Sequence, residues 1–570
     1  MYYLALATDY DGTLAHGGVV DARTQDALQR FKDTGRRLIL VTGRELPDLS
    51  RVYRDLGVFD RVVAENGAVL FDPATETETV LAEPPPPVFV ERLKERKVEP
   101  LSLGRAIVAT WEPEEKVVIE LIRDLGLELQ VIFNKGAVMV LPPGINKASG
   151  LKAALEDLGL SPHNVVAVGD AENDHAFMHA CGCAAAVANA LPFVKEEAHV
   201  RLTGERGEGV VELMERICND EGSMVPPERH GILIGETRAG RPCLLEPHAG
   251  SVLIAGTSGI GKSTLATALT ERMEERGFEF CVFDPEGDYD ELEHAVSLGD
   301  AETPPRIEEA LKLLQQARTN VVINTQCFAP AERPAFFAQL LPQIGALRAR
   351  TGRPHWLLID EAHHLLPARR GEFSVVLPEE LHGVILITVH PQEVSSDALE
   401  TVSTVIALGE DPAAVLAPVA AVARVEPPRD IAAPAGNEVL LWAVGPQSRP
   451  FAVVPEAPKQ ARHRHTRKYA EGRLGEDRSF YFRGPRNRLN LRAHNLMLFL
   501  QMAAGVDDET WEHHRRAGDY SRWFRDAIKD EDLARAAEAI ESDRKLDALA
   551  SRAEMDKAVR RRYTAPASGA

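Results

Sequence analysis

Two groups of residues, far apart in the chain, have the types and spacing for phosphate chemistry. The first opens with Asp9-Tyr10-Asp11-Gly12-Thr13-Leu14, directly after the apolar run Tyr2 to Ala7. Two carboxylates two residues apart at a strand end can face one divalent cation or one reacting phosphorus atom. Thr42-Gly43-Arg44 closes a second apolar run and offers a hydroxyl and backbone N–H groups to a phosphate oxygen. Lys147 can add positive charge, and Gly169-Asp170-Ala171-Glu172-Asn173-Asp174 closes a third run with two more acids for a metal. Oxygen ligands of this kind suit Mg²⁺.

The second group is Gly256-Thr257-Ser258-Gly259-Ile260-Gly261-Lys262-Ser263-Thr264, directly after Ser251 to Ala255. Its glycines let backbone N–H groups turn inward on the β- and γ-phosphates of a nucleotide. Lys262 reaches the same oxygens and Ser263 can ligand Mg²⁺. A helix expected from Ser263 to Arg276 aims its positive end at them. About a hundred residues on, Trp356 to Ile359 leads into Asp360-Glu361-Ala362-His363. Asp360 suits Mg²⁺ and Glu361 suits a water. A carboxylate beside the metal-binding acid favours hydrolysis, because a kinase must keep water from the γ-phosphate. Thr388, ending Val384 to Ile387, is a candidate polar sensor of the nucleotide.

The elements that must position these residues follow from the hydrophobic pattern. Over residues 1–220, strand-like runs at Leu38 to Thr42, Arg61 to Leu70 and Val165 to Gly169 alternate with helical patterns, which argues for a doubly wound parallel α/β sheet. Ligands bind such sheets beyond the carboxyl ends of the strands. Pro84 to Pro87 is a stiff connector into a small α+β insertion, about residues 88–141. There the pattern predicts a strand at Ala106 to Trp111, a helix at Glu112 to Leu125 and a hairpin turning at Asn134-Lys135-Gly136. Glu221 to His230, with Pro226-Pro227, reads as an interdomain linker. A second α/β domain is expected over 229–455. Residues 456–570 read as a basic segment followed by a mostly helical domain, with helices at Leu489 to Gln501, Asp508 to Arg516, Ser521 to Ile528 and Asp530 to Asp543.

Length and composition fit this division. A chain of 570 residues exceeds one core and suggests about three domains. The net charge of −21 comes from the first two segments, whereas 456–570 is net basic. An acidic surface disfavours non-specific nucleic-acid binding, whose affinity comes mainly from neutralised phosphates. No apolar stretch is long enough to span a bilayer, and no export signal is visible, so the expected compartment is the cytoplasm. The six cysteines form no disulfide framework, and Cys181 and Cys183 read as buried small hydrophobes.

Residues 1–219 resemble the haloacid dehalogenase superfamily and, more narrowly, its Cof-type phosphatases, whose cap is inserted between the second and third motifs. Glu65-Asn66-Gly67-Ala68 also matches. The resemblance implies a Rossmann-like domain in which Asp9 attacks phosphorus to form an aspartyl-phosphate. Asp11 would protonate the leaving oxygen and then activate water. Asp9, Asp170 and the backbone carbonyl of Asp11 would hold Mg²⁺, with Asp174 in its outer shell and Thr42, Gly43, Lys147 and Asn173 around the phosphate. A cap of some fifty residues favours a small phosphorylated metabolite, such as a sugar phosphate or phosphoglycolate.

Val282-Phe283-Asp284-Pro285-Glu286-Gly287-Asp288-Tyr289, Asn320 to Gln326 and the Asp360-Glu361 strand resemble HerA/FtsK-like ATPases. That resemblance implies ATP binding and hydrolysis in hexameric rings that move DNA. The domain departs from it in being short and acidic, with no evident DNA-gripping loop and no assignable arginine finger, so only the ATPase reading is carried over. In the tail, Lys459 to Arg492 holds eleven Lys or Arg against three acids, with Tyr469, Phe480, Tyr481 and Phe482 interspersed. The favoured reading is docking on the acidic ATPase domain, with nucleic acid or nucleotide binding as the alternative. His463 and His465, set among arginines, do not read as metal ligands. Trp511, Trp523 and Phe524 read as core, and Arg560-Arg561-Arg562 as a solvated face.

The main reading is a Mg²⁺-dependent phosphatase of a small organic phosphate joined to an ATPase module. Two others stay open. Bifunctional polynucleotide kinase/phosphatases join these folds in this order, which would make the chain a nucleic-acid end-processing enzyme. The alternative is a nucleotide-gated scaffold without catalysis.

Overall fold

The computed structural model describes residues 2–563 apart from 135, 249, 291, 369–381, 430, 460–473, 475–477 and 529. The first domain is built on β1 (Ala5–Asp9), β2 (Arg37–Val41), β3 (Arg61–Ala64), β4 (Val69–Asp72) and β5 (Thr77–Val80). The insertion carries β6 (Ser102–Leu103), β7 (Val108–Trp111), β8 (Gln130–Asn134) and β9 (Ala137–Leu141). The chain then returns through β10 (Val165–Gly169), β11 (Cys183–Ala186) and β12 (Val200–Arg201). The main sheet runs β12-β11-β10-β1-β2-β3-β4-β5. Its strands from β12 to β3 are parallel, and β4 and β5 add antiparallel edges. Every residue of β1 and β10 is buried, as expected for strands covered by helices on both faces. The cap is a four-stranded antiparallel sheet, β6-β7-β9-β8. Its helices Pro87–Glu95 and Glu115–Asp124 pack on one face through Phe89, Leu93, Val118 and Leu121.

Two expectations here are corrected. The run Arg61 to Leu70 is two strands, because Glu65, Asn66 and Gly67 all take positive φ (51, 52 and 103°) and reverse the chain. Glu221 to His230 is no free linker. Met224, Val225 and His230 are buried, and Glu221 accepts from the Tyr2 backbone N–H at 2.8 Å.

The second domain contributes β13 (Ile232–Thr237), β14 (Pro242–Leu245), β15 (Ser251–Gly256), β16 (Phe280–Asp284), β17 (Ala295–Leu298), β18 (Asn320–Asn324), β19 (Trp356–Ile359), β20 (Val384–Thr388), β21 (Val402–Leu408), β22 (Val439–Ala443) and β23 (Phe451–Pro455). They form one sheet, β14-β13-β23-β22-β21-β15-β20-β19-β16-β18-β17, parallel from β21 to β17. One strand, β20, therefore lies between the strand before the glycine-rich loop and the strand before Asp360.

The third domain pairs β24 (Phe480–Phe482) with β25 (Leu491–Ala493) against helices Leu496–Gly505, Asp508–Ala517, Asp519–Asp526, Glu531–Ser542 and Ala548–Tyr563. Trp511, Trp523 and Phe524 are in its core. The helix expected from Leu489 starts only at Leu496, where Asn495 caps it, because 491–493 pair as a strand. The last helix was not foreseen, and it carries Arg560 and Arg561. His463, His465 and Tyr469 lie outside the described residues. Lys459 pairs with Glu275 at 2.7 Å and Arg478 with Glu286 at 3.2 Å, both on the second domain. Among the described residues no helix is long and apolar enough to cross a membrane. Burial pushes the Cys181 and Cys183 thiols up to about 12, so both stay protonated hydrophobes.

The first two domains meet at the amino ends of their strands. Tyr2 and Tyr3 precede β1, His163 and Asn164 precede β10, and Gly182 precedes β11. From the other side come Phe278 and Glu279 before β16 and His355 before β19. His230 accepts the Tyr2 hydroxyl at Nδ1 (2.7 Å) and donates from Nε2 to the Gly182 carbonyl (2.8 Å). His355 accepts the Glu279 N–H at Nδ1 and reaches the Ser161 hydroxyl with Nε2, both at 2.9 Å. His163 stacks on Phe278 at 3.9 Å, and Arg353 donates to the Gly159 carbonyl at 3.0 Å. The carboxyl ends of the two sheets consequently face opposite poles.

Candidate active sites

At the first pole, β1 delivers Asp9 and β10 delivers Asp170, both buried. Lys147 is the first residue of the helix Lys147–Leu158. The helix start is fixed by reciprocal bonds at 3.0 Å, from the Ser149 N–H to Asn146 Oδ1 and from the Asn146 N–H to Ser149 Oγ. It is also wedged against the Glu65–Gly67 turn, where a Cβ on Gly67 would stand 1.9 Å from the Asn146 carbonyl oxygen. The Lys147 ammonium, almost wholly buried, donates to Asp9 Oδ1 at 2.5 Å and to Asp174 Oδ1 at 2.6 Å. The other Asp174 oxygen accepts the N–H groups of Asp170 and Ala171, each at 2.9 Å. Thr13 donates to Asp170 at 3.1 Å.

One carboxylate oxygen from each of Asp9, Asp170 and Asp174 falls within 4.8 Å of the others. This crowding has an electrostatic cost. Burial, then Asp174 and Asp170, push the Asp9 carboxyl up to about 8 against the pull of Lys147. Three hard oxygen donors in mutual repulsion fit a small divalent cation. Both oxygens of Asp174 already accept hydrogen bonds, one from Lys147 and the other from the Asp170 and Ala171 N–H groups.

Asp11 points elsewhere. Arg44 holds it in a fork, Nε to Oδ2 at 2.6 Å and Nη2 to Oδ1 at 2.8 Å, and also pairs with Asp48 at 2.6 Å. The Thr42 hydroxyl accepts the Arg44 N–H at 3.1 Å. Asn173 donates to Asn66 at 3.1 Å, Asn66 reaches the cap at Met139 Sδ, and a Cβ on Gly43 would stand 3.2 Å from the Asn66 side chain. Glu65 accepts the backbone N–H groups of Arg105, Ala106 and Ile107, at 2.8, 2.9 and 3.1 Å, pinning the cap to the turn. The structure thus gathers Asp9, Lys147, Asp170 and Asp174 into one network and places Asp11, Thr42, Gly43 and Asn173 around it. Sequence reasoning assigned no task to Arg44, although it directly follows Thr42-Gly43.

At the second pole, the loop 256–261 links β15 to the helix Lys262–Glu275. Gly259 and Gly261 take φ of 78 and 106°, which side chains disfavour. Thr257, Ser258, Gly259 and Ile260 are exposed and Ser263 is half-buried. Lys262 is buried and donates to the carbonyls of Gly256 (3.0 Å) and Thr257 (2.9 Å), folded onto the loop it would share with a phosphate. Thr264 is exposed, and nothing in the structure assigns it a task. Asp360 directly follows β19, where burial, then Glu361 and Asp288, hold its carboxyl well above the usual range. Glu361 itself sits at φ 44°, a strained setting for a non-glycine residue. Thr388 ends β20, next to both strands, and is fully buried.

The family of haloacid dehalogenase-like hydrolases matches residues 6–99 and 94–214. The central domain of the helicase HerA matches 246–346. A phosphoglycolate phosphatase of Methanothermobacter thermautotrophicus is 31% identical over 226 residues, which is 37% of this chain and 97% of that protein. One from Halorubrum lacusprofundi is 32% identical over 208 residues, 34% of this chain and 88% of that protein. Among solved structures, a haloacid dehalogenase-like hydrolase from Bacteroides thetaiotaomicron is 23% identical with a TM-score of 0.34, covering 38% of this chain and 99% of that one. Through its first domain the chain belongs to the haloacid dehalogenase-like hydrolases, and a HerA-type central domain follows on the same chain.

Proposed function

We propose that this protein is a Mg²⁺-dependent phosphatase of a small organic phosphate monoester, carrying a second, separate site that binds and hydrolyses ATP. The observation that carries the first half is the buried Asp9–Lys147–Asp174 network beside Asp170 at the strand ends. Asp9 Oδ attacks phosphorus as the bond to the leaving alcohol oxygen breaks. Asp11 supplies that oxygen with a proton, then takes one from the water that splits the aspartyl-phosphate, releasing inorganic phosphate and free Asp9. Both Asp11 oxygens accept from Arg44 at rest, so proton transfer requires the carboxyl to turn off that fork. Lys147 fixes the Asp9 rotamer and offsets charge on the phosphate. Asp9, Asp170 and the Asp11 carbonyl would hold Mg²⁺, which offsets the charge of an anionic nucleophile meeting an anionic phosphate. The phosphoglycolate phosphatases among the relatives support a two- or three-carbon phosphorylated acid as first choice of substrate, ahead of a sugar phosphate.

The glycine-rich loop with Lys262, and Asp360 and Glu361 one strand beyond β20, support ATP as the ligand of the second site and water as the acceptor. Glu361 beside Asp360 favours this over transfer to a nucleic-acid hydroxyl. Turnover of phosphoglycolate and a panel of sugar phosphates with Mg²⁺, with and without ATP, tests the first half. Phosphate release from ATP tests the second. Failure on the whole panel would leave a non-catalytic binding module.

A further inference from the structure

The Asp360-Glu361 turn carries a histidine whose surroundings restrict what Thr388 can do. His363 Nδ1 lies 3.0 Å from Thr388 Oγ1 and 3.4 Å from Glu361 Oε2, and the His363 and Glu361 side chains are 8% and 13% exposed. The Thr388 hydroxyl oxygen also accepts the His390 backbone N–H at 3.0 Å. The ring of His363 is held by His364 at 4.1 Å and, edge-on, by His390 at 5.3 Å.

A neutral imidazole carries its proton on one nitrogen, and a carboxylate close to Nδ1 favours that nitrogen. With Nδ1–H toward it and the His390 N–H already accepted, both lone pairs of the Thr388 oxygen are taken. A hydroxyl has one donor and two acceptor positions, so all that remains to Thr388 is to donate. We infer that His363 is a positioning residue: with Glu361 and the His390 N–H, it makes the Thr388 hydroxyl an obligate hydrogen-bond donor. The ligand this selects is an acceptor-only group, the terminal phosphoryl oxygen of a nucleoside triphosphate, and it disfavours groups that must themselves donate. Glu361 thereby has two tasks, one on water and one on the tautomer of His363. The inference rests on the ATP-hydrolysing reading of the second site.

The test compares ATP hydrolysis by the full-length wild type, Thr388→Val, His363→Ala and the double variant, with phosphatase turnover as the check on folding. Loss of a single preorganised donor is expected to lower kcat on the order of 10²-fold in Thr388→Val. His363→Ala should lower kcat in the same direction with little change in KM, and the double variant should be no slower than Thr388→Val alone. Multiplying losses would overturn the inference, because the two residues would then act independently. A second measurement does not depend on turnover. Nitrogen-15 spectra of histidine-labelled protein, with the His363 signals assigned by their loss in His363→Asn, should show the proton on Nδ1, and a proton on Nε2 would overturn the inference. A wild type with no hydrolysis but with Nδ1–H would refute the proposed reaction and leave the positioning intact.

Discussion

Acid should loosen the union of the first two domains, and His230 offers a way to measure by how much. Burial pushes this imidazole down from 6.5 to about 3, and His163 beside it to about 4. The sign follows from linkage. The folded state keeps His230 neutral, so its contribution is complete above about pH 6.5 and is lost as pH falls toward 3, where the unfolded chain takes up a proton that the folded one refuses. Each pH unit within this window is worth about 1.4 kcal/mol. At pH 5 the loss for His230 alone is about 2 kcal/mol relative to neutral pH. The variant His230→Gln keeps a donor for the Gly182 carbonyl but cannot titrate. Urea unfolding of both proteins at pH 7.5 and pH 5 isolates the term, since His163, His355 and the carboxylates are common to both. Wild type should lose about 2 kcal/mol more than the variant between the two pH values. Parallel losses would refute the claim that this histidine is held neutral between the domains.

Other outcomes follow from the sites. Gly67→Ala puts a methyl group 1.9 Å from the Asn146 carbonyl oxygen. It should displace the helix that starts at Lys147 and lower phosphatase kcat/KM at least on the order of tenfold, leaving ATP hydrolysis unchanged in the same preparation. Arg44→Ala frees Asp11 from its fork, and kcat should fall; a loss confined to KM would assign Arg44 to substrate binding instead. Mg²⁺ should raise the melting temperature of wild type by relieving repulsion among Asp9, Asp170 and Asp174, and should raise it much less in Asp170→Ala. Chelation of the ion should abolish phosphatase turnover and its return should restore it.

The strand ends that carry chemistry were legible in the sequence because each couples an apolar run to a polar cluster, as at Ala5–Asp9, Val165–Gly169 and Ser251–Gly256. The pairing of cap strands β8 and β9 was legible for the same reason, being two apolar runs close together in the sequence, while Lys135, between them, lies outside the described residues. The Arg61 to Leu70 run hid a chain reversal although Asn66-Gly67 is a turn-forming pair, because apolar residues flank it closely on both sides. Glu221 to His230 looked like a linker by composition, yet its hydrogen bonds go to Tyr2 and Gly182, contacts that no local pattern encodes. The back-to-back placement of the two sheets was likewise invisible, since it depends on which strand ends carry the aromatic and histidine contacts. The fork between Arg44 and Asp11 and the link from His363 to Thr388 join residues 33 and 25 positions apart. Spacing alone does not reveal such pairs.

Separateness of the two sites is the central claim, and crossed inactivation tests it most directly. Asp9→Asn should abolish phosphate release from phosphoglycolate or a generic aryl phosphate while ATP hydrolysis continues at the wild-type rate, and Lys262→Ala should do the reverse. A single substitution that silences both activities in a folded protein would contradict it.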